Sequence, residues 1–167
     1  MSASELQLRN ALCADLGQLR GLLDRYLEEL SQHRAHPVGA TTSRDYRDLD
    51  AYFTNASRIP YLLELGPQTV GFAFVQTPES TQTGRFRLDE FFILASHRRR
   101  GLGCFAVDTL FRTHPGEWEL QVMMANLGAR AFWQRVVSSA AVRTWDEQRL
   151  EAPDGPRCEF RVRTTSA

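Results

Sequence analysis

Three consecutive arginines, Arg98, Arg99 and Arg100, run directly into Gly101-Leu102-Gly103-Cys104. Ahead of them lies an apolar run, Phe91-Phe92-Ile93-Leu94, with a carboxylate, Glu90, at its head. These residue types can hold an anion and accept a proton. The pattern reads as a buried strand, a short basic turn and the start of an amphipathic helix. The free N–H groups of a first helical turn point outward, and the helix dipole adds partial positive charge. A strand feeding a glycine-rich helix start therefore makes a place for a phosphate. Gly101 and Gly103 remove the side chains that would keep an anion off the backbone. Taken alone, the turn also fits solvated arginines in an ordinary loop.

Two familiar phosphate sites are excluded. The P-loop requires a lysine followed by Ser or Thr after its last glycine, and all 20 basic residues here are arginine. The dinucleotide fingerprint requires a third glycine, which Cys104-Phe105-Ala106 does not supply in register. What survives is Arg-x-x-Gly-x-Gly, formed by Arg98, Gly101 and Gly103. Downstream, Trp118-Glu119-Leu120-Gln121-Val122 alternates as a strand and is followed by Asn126, Ala129, Phe132 and Trp133. The first pattern resembles the acyl-CoA pyrophosphate loop of the GNAT superfamily of N-acetyltransferases. The second is similar to that superfamily's Asn-x-x-Ala-x-x-Phe-Tyr element. The likeness in motif covers residues 86–136 and is topological elsewhere. Glu90-Phe91-Phe92 and Phe132-Trp133 look like a bacterial subgroup.

The resemblance implies an α/β (α+β) fold: a single GNAT-like domain over residues 1–167, with a mixed, mostly antiparallel central sheet flanked by helices. Two splayed central strands would hold acyl-CoA. By the same resemblance, main-chain groups of Phe91, Phe92 and Ile93 pair with the pantetheine arm. The backbone from Arg99 through Arg100, Gly101, Leu102 and Gly103 to Cys104 takes the pyrophosphate. Arg98 opens the motif, its charge serving either the phosphates or the fold. Asn126 hydrogen-bonds near the pantetheine, caps its helix, or does both. The implied activity is transfer of the acetyl group of acetyl-CoA, as cosubstrate and without a metal, to a primary amine of a small molecule or peptide. Attack is direct, in a ternary complex. The alternative is a non-catalytic acyl-CoA-binding module on the same fold.

An alkyl ammonium has a pKa of about 10, so a base or a desolvating pocket must help it attack. Glu90 is the first candidate, just ahead of the cofactor-pairing segment; a salt bridge is its structural alternative. In a regular strand Asp89 faces the other way, and a bulge would exchange the two. Many superfamily members carry an acid five residues before the asparagine, where this chain has Gln121; Glu119 shares that face further back. The superfamily often protonates the departing thiolate with a tyrosine seven residues after the asparagine. Here that position is Trp133, whose indole N–H donates but does not ionise at useful pH; the resemblance implies that it contacts the cofactor, either packing against the pantetheine sulfur or leaving protonation to another group. A thiol pKa of about 8.5 leaves the thiolate a tolerable leaving group, with solvent able to protonate it. Tyr26, Tyr46, Tyr52 and Tyr61 are further phenols without an assigned place. His97 reads as a loop residue and Cys104 as a small core residue.

These residues need a frame, and the chain is long enough for one. Its 167 residues and 43% hydrophobic fraction suit a single core. Zero formal net charge argues against nucleic acid or an anionic membrane as main partner. The partners expected are acetyl-CoA and an amine, with the protein monomeric or homodimeric. Cys13, Cys104 and Cys158 show neither metal spacing nor a disulfide framework. No leader or spanning pattern stands out, and a cytoplasmic location is expected.

Alternation predicts a strand at Leu6–Arg9. Leu16, Leu19, Leu22, Leu23, Tyr26, Leu27 and Leu30 predict a helix with Asp15 as its cap. A second helix is predicted through Tyr46, Leu49, Tyr52 and Phe53. Strands follow at Tyr61–Leu65 and Val70–Val75, then a polar loop from Gln76 to Gly84, then the strand Phe86–Leu94. Leu102, Phe105, Ala106 and Leu110 form a helix face ended by Thr113-His114-Pro115-Gly116, and residues 141–149 and 157–163 form a terminal hairpin. The sign-alternating run Arg44-Asp45-Tyr46-Arg47-Asp48 reads as a solvated face, although Asp45, Asp48 and Asp50 would also attract a cationic amine.

Overall fold

A computed structural model describes residues 5–77 and 85–164. The element order is β1 (Leu6–Asn10), α1 (Leu16–Ser31), α2 (Ala51–Thr54), β2 (Arg58–Leu65), β3 (Gln68–Gln76), β4 (Arg85–Ile93), α3 (Leu102–Thr113), β5 (Glu117–Met123), α4 (Leu127–Val137), β6 (Val142–Leu150) and β7 (Arg157–Thr164). The seven strands form one mixed sheet in the order β1-β2-β3-β4-β5-β7-β6. Every neighbouring pair is antiparallel except β4 and β5. Most of the polar loop read from Gln76 to Gly84 lies outside the described residues.

Period-two alternation decides which helices each face of the sheet receives. On one face Leu62, Phe72, Phe74 and Phe92 pack with Leu19, Leu22, Leu23 and Leu27 of α1 and with Leu49 and Tyr52. On the other, Leu63, Val75, Leu88, Trp118, Leu120 and Phe160 pack with Ala106, Val107 and Leu110 of α3 and Trp133 and Val136 of α4. Burying one Leu or Phe side chain contributes roughly 1.5–3 kcal/mol, so these two layers fix the register of the strands that carry the site.

The predicted second helix is cut to the four residues of α2. The segment before it is pinned at intervals that no helix matches. Ser43 N–H donates to Asp24 Oδ1 at 2.6 Å, the Thr42 hydroxyl to Asp45 at 2.9 Å, and the Tyr46 phenol reaches into the sheet. Threonine side-chain bonds of this kind compete with helix formation. Asp15 does not cap α1 with its side chain. Its carboxylate accepts from Leu12 N–H at 2.7 Å and pairs with Arg9 at 2.8 Å, closing the 3-10 turn ahead of the helix.

Candidate active site

The register of β4 against β3 decides where its two acids point. Phe74 pairs with Glu90, but the next residue, Val75, pairs with Leu88, leaving Asp89 as the extra residue of a bulge. Simple alternation therefore fails here: Asp89 and Glu90 both line one cavity on the α1 side of the sheet. The Tyr26 phenol donates to Glu90 Oε2, and the Tyr46 phenol donates to Oε1 at 3.0 Å. Asp89 accepts from the Tyr52 phenol and from Gln76 Nε2 at 2.5 Å, and it pairs with Arg87 at 2.9 Å.

Burial pushes the Glu90 carboxyl up to about 7, against the lowering effect of its two phenol donors. Burial, reinforced by the adjacent carboxylates, drives the phenols of Tyr26, Tyr46 and Tyr52 well above their ordinary value. They remain protonated donors, and the carboxylate of the central pair is the group that titrates near neutrality.

Glu90 sits where two spaces meet. One is a cavity of about 760 Å³ bounded by Tyr46, Arg47, Arg58, Gln76 and Arg87. The other is a slot of about 270 Å³ that reaches Phe91, Gln121, Asn126 and Trp133. The slot exists because the parallel pairing of β4 with β5 stops at Leu88 and Leu120, after which the strands splay. That leaves the β5-facing edge of Phe91, Phe92 and Ile93 unpaired, while their other edge is hydrogen-bonded into β3. Gly71 is required opposite this segment, since a Cβ there would stand 2.1 Å from the Phe92 carbonyl oxygen. The turn between β6 and β7 closes the cavity wall. The Asp154 carbonyl accepts from Ala35 N–H at 2.8 Å, and Arg157, which lines both spaces, pairs with the Asp154 carboxylate at 2.7 Å.

At the end of β4 the chain makes the turn read from its glycines. Arg99 (φ 60°) and Gly101 (φ 77°) are both left-handed, and α3 begins with no side-chain cap on its N–H groups among the described residues. Arg98 has the partners of a structural residue: its Nε donates to the Ile93 carbonyl at 2.6 Å and its Nη2 to Glu29 at 2.7 Å. Gly103 has a packing role beside the one expected of it. A Cβ there would meet Phe132 Cε2 at 2.9 Å, so the missing side chain admits that ring against α3. Cys104 is half-buried against the core, and the His97 ring meets the Ser96 hydroxyl at 2.9 Å.

Across the slot, Asn126 caps α4, its Oδ1 accepting from Ala129 N–H at 3.0 Å. Trp133 is 6% exposed and lies edge-on to both Phe91 and Phe132. Gln121 donates to Glu159 at 2.9 Å. Glu159 went unnoticed in the sequence because two of its three donors, Gln121 and Gln148, come from other strands; the third, Arg161, lies two residues along β7.

The model of the acetyltransferase (GNAT) family matches residues 20–137, which is most of the chain. The chain belongs to the GNAT acetyltransferase family. Solved structures agree in fold. An acetyltransferase from Thermus thermophilus aligns with a TM-score of 0.70 at 20% identity, covering 99% of this chain and 100% of that one. The AAC(6')-Ib structure in complex with ribostamycin and coenzyme A aligns at TM-score 0.66 and 21% identity, over 96% and 93%. Spermidine N-acetyltransferase from Vibrio cholerae, in complex with CoA and spermine, aligns at 0.69 and 12% identity, over 96% of each chain. Curated protein sequences give no significant match. Within this GNAT fold the expected sheet, its splayed pair and the glycine turn are all in place. Among the described residues no helix is long and apolar enough to cross a membrane, and no group of His, Cys, Asp or Glu gathers that could hold a metal ion.

Proposed function

We propose that this single-domain protein transfers the acetyl group of acetyl-CoA to a primary amine by direct attack, with Glu90 as the general base. One observation carries this reading: a carboxyl held near pKa 7 stands where a polar cavity opens into the slot between β4 and β5. A base is most effective when its pKa lies near the working pH. The Tyr26 and Tyr46 phenols orient the carboxylate and cannot themselves remove a proton at that pH.

The residues on the slot fit an acyl-CoA. The open edge of Phe91, Phe92 and Ile93 offers main-chain groups to the amides of a pantetheine arm. The turn from Arg99 to Cys104 offers main-chain groups to phosphates at the start of α3, where no side chain caps the helix among the described residues, and Arg98 braces that turn from behind. Asn126 lines the slot, and its cap uses only Oδ1, which leaves the side-chain amide N–H to donate to a ligand. When bound, acetyl-CoA supplies an activated thioester; the protein aligns the amine and takes its proton. Trp133 packs along the slot, and solvent protonates the thiolate. The three cysteines are free, in keeping with action in the cytoplasm.

A pH–rate profile tests the assignment. Acetyl transfer should fall below pH about 7 as Glu90 takes up a proton, and Glu90→Gln should abolish that limb and lower kcat. An unchanged profile in Glu90→Gln would clear Glu90 of the role. A second reading, an acyl-CoA-binding module without turnover, draws on Trp133 standing where a tyrosine is usual and on Gln121 where an acid is usual. Tight acetyl-CoA binding with no turnover across a broad amine panel would favour it.

A further inference from the structure

The acceptor cavity contains acids and arginines in similar number, but they differ in how far their bonding is already satisfied. Asp89 has two hydrogen-bond donors and an ion pair with Arg87, and Glu90 has two donors. Asp154, behind the wall, is paired with Arg157. The acids with open capacity are Asp45, which also accepts from two threonines, and Asp48, which is 64% exposed on the rim. The arginines are the reverse. Arg47 lines the cavity and has no hydrogen bond or ion pair among the described residues. Arg58 forms only a loose 3.5 Å ion pair with Asp48 and lies over the Tyr52 ring. Arg87 pairs with Asp89 through Nε at 2.9 Å, stays half exposed, and has no other ion pair or side-chain hydrogen bond among the described residues.

Register gives these groups a common position. Arg58 pairs with Gln76 and Gln76 pairs with Arg87, so both arginines stand on one row across β2, β3 and β4. Glu90 pairs with Phe74, two residues further along β3, which places the row about 7 Å from the base along the strand direction. A guanidinium with open N–H groups is the group best suited to a carboxylate or phosphate. We propose that the acceptor is an amine that also carries an oxyanion, its nitrogen at Glu90 and its anionic end on Arg47, Arg58 and Arg87. This rests on the acetyltransferase reading above. It also sets the chain apart from its structural neighbours crystallised with ribostamycin or spermine, because the two acids at the reacting end, Asp89 and Glu90, already have their donors, and a polycation would be left with Asp45 and Asp48 beside three arginines.

The test is kcat/KM for matched acceptors at saturating acetyl-CoA: δ-aminovalerate against n-pentylamine, O-phosphoethanolamine against ethanolamine, with spermine and ribostamycin alongside. The oxyanion-bearing member of at least one pair should be preferred by about tenfold, the size of one charge-assisted hydrogen bond. Which pair responds tells carboxylate from phosphate. Arg47→Gln and Arg58→Gln should shrink that preference several-fold, a ratio that general loss of folding would not change. Preference for the polycations, a ratio near one, or a ratio untouched in both variants would overturn the proposal. So would turnover of other amines with none of any oxyanion-bearing one; binding of acetyl-CoA with no turnover of any amine would count against the transferase reading instead. Failure of acetyl-CoA to bind would instead overturn the transferase reading beneath it.

Discussion

The two helices that follow the parallel strands begin in opposite ways. After β5, the Asn126 side chain accepts from Ala129 N–H and completes the first turn of α4 internally. After β4, Gly101 enters α3 in a left-handed conformation and no side chain caps its N–H groups. Both helix starts lie at the end of the sheet where the strands splay, so the same strand-to-helix step is satisfied within the chain once and left open once. An open helix start beside arginines is an anion site in waiting. A closed one is a wall.

Substitutions at three positions break or sharpen that contrast. The largest effect belongs to Gly101→Val. Forcing a β-branched residue into a left-handed conformation costs about 1–2 kcal/mol or more. Displacing two N–H groups from a phosphate should lower CoA affinity by about 100-fold, read by calorimetric titration. Affinity within threefold of wild type would mean that the open helix start does not receive the pyrophosphate. Asn126→Ala comes next, with about 1 kcal/mol of stability lost with the cap. Asn126→Asp keeps the acceptor and should recover that stability in thermal melts, yet it removes the amide donor available to the slot. CoA affinity several-fold below wild type in the Asp variant marks a pantetheine contact; equal affinity restricts Asn126 to capping. Arg98→Gln should have the smallest effect on binding, with stability down by roughly 1 kcal/mol from the lost Ile93 carbonyl bond. A binding loss as large as that of Gly101→Val would return Arg98 to the phosphates.

Glu90 gives a separate check, in stability rather than rate. Its folded pKa of about 7 lies above the ordinary carboxylate range. The folded state therefore binds more protons than the unfolded one between roughly pH 4.5 and 7, and stability falls as pH rises through that window. Denaturant midpoints across the window should show the slope in wild type and its loss in Glu90→Gln.

Local chemistry was readable from the sequence, and register was not. The Arg98–Gly103 turn and the Asn126 cap are made by residues within a few positions of one another, so spacing alone exposes them. The strands and the apolar stripe of α1 follow from periodicity. Asp89 is different: whether it shares a face with Glu90 depends on β3 pairing Phe74 and Val75 across a bulge. Tyr26, Tyr46 and Tyr52 reach the two acids from 64, 44 and 37 residues away. The same tertiary anchors shortened the second helix, and Arg47, read as part of a solvated face, lines the cavity beside Glu90 because Tyr46 next to it is tied to Glu90.

Trp133 makes the slot optically legible. Of the three tryptophans, Trp118 is sealed in the core, Trp145 sits on the outer strand β6, and Trp133 alone lines the space between β4 and β5. A ligand entering there changes the polarity around one indole and leaves the other two as an internal reference. Emission at Trp133 should therefore report occupancy in real time, without a label, and on the reading proposed above it gives stopped-flow measurement direct access to the arrival and departure of the thioester.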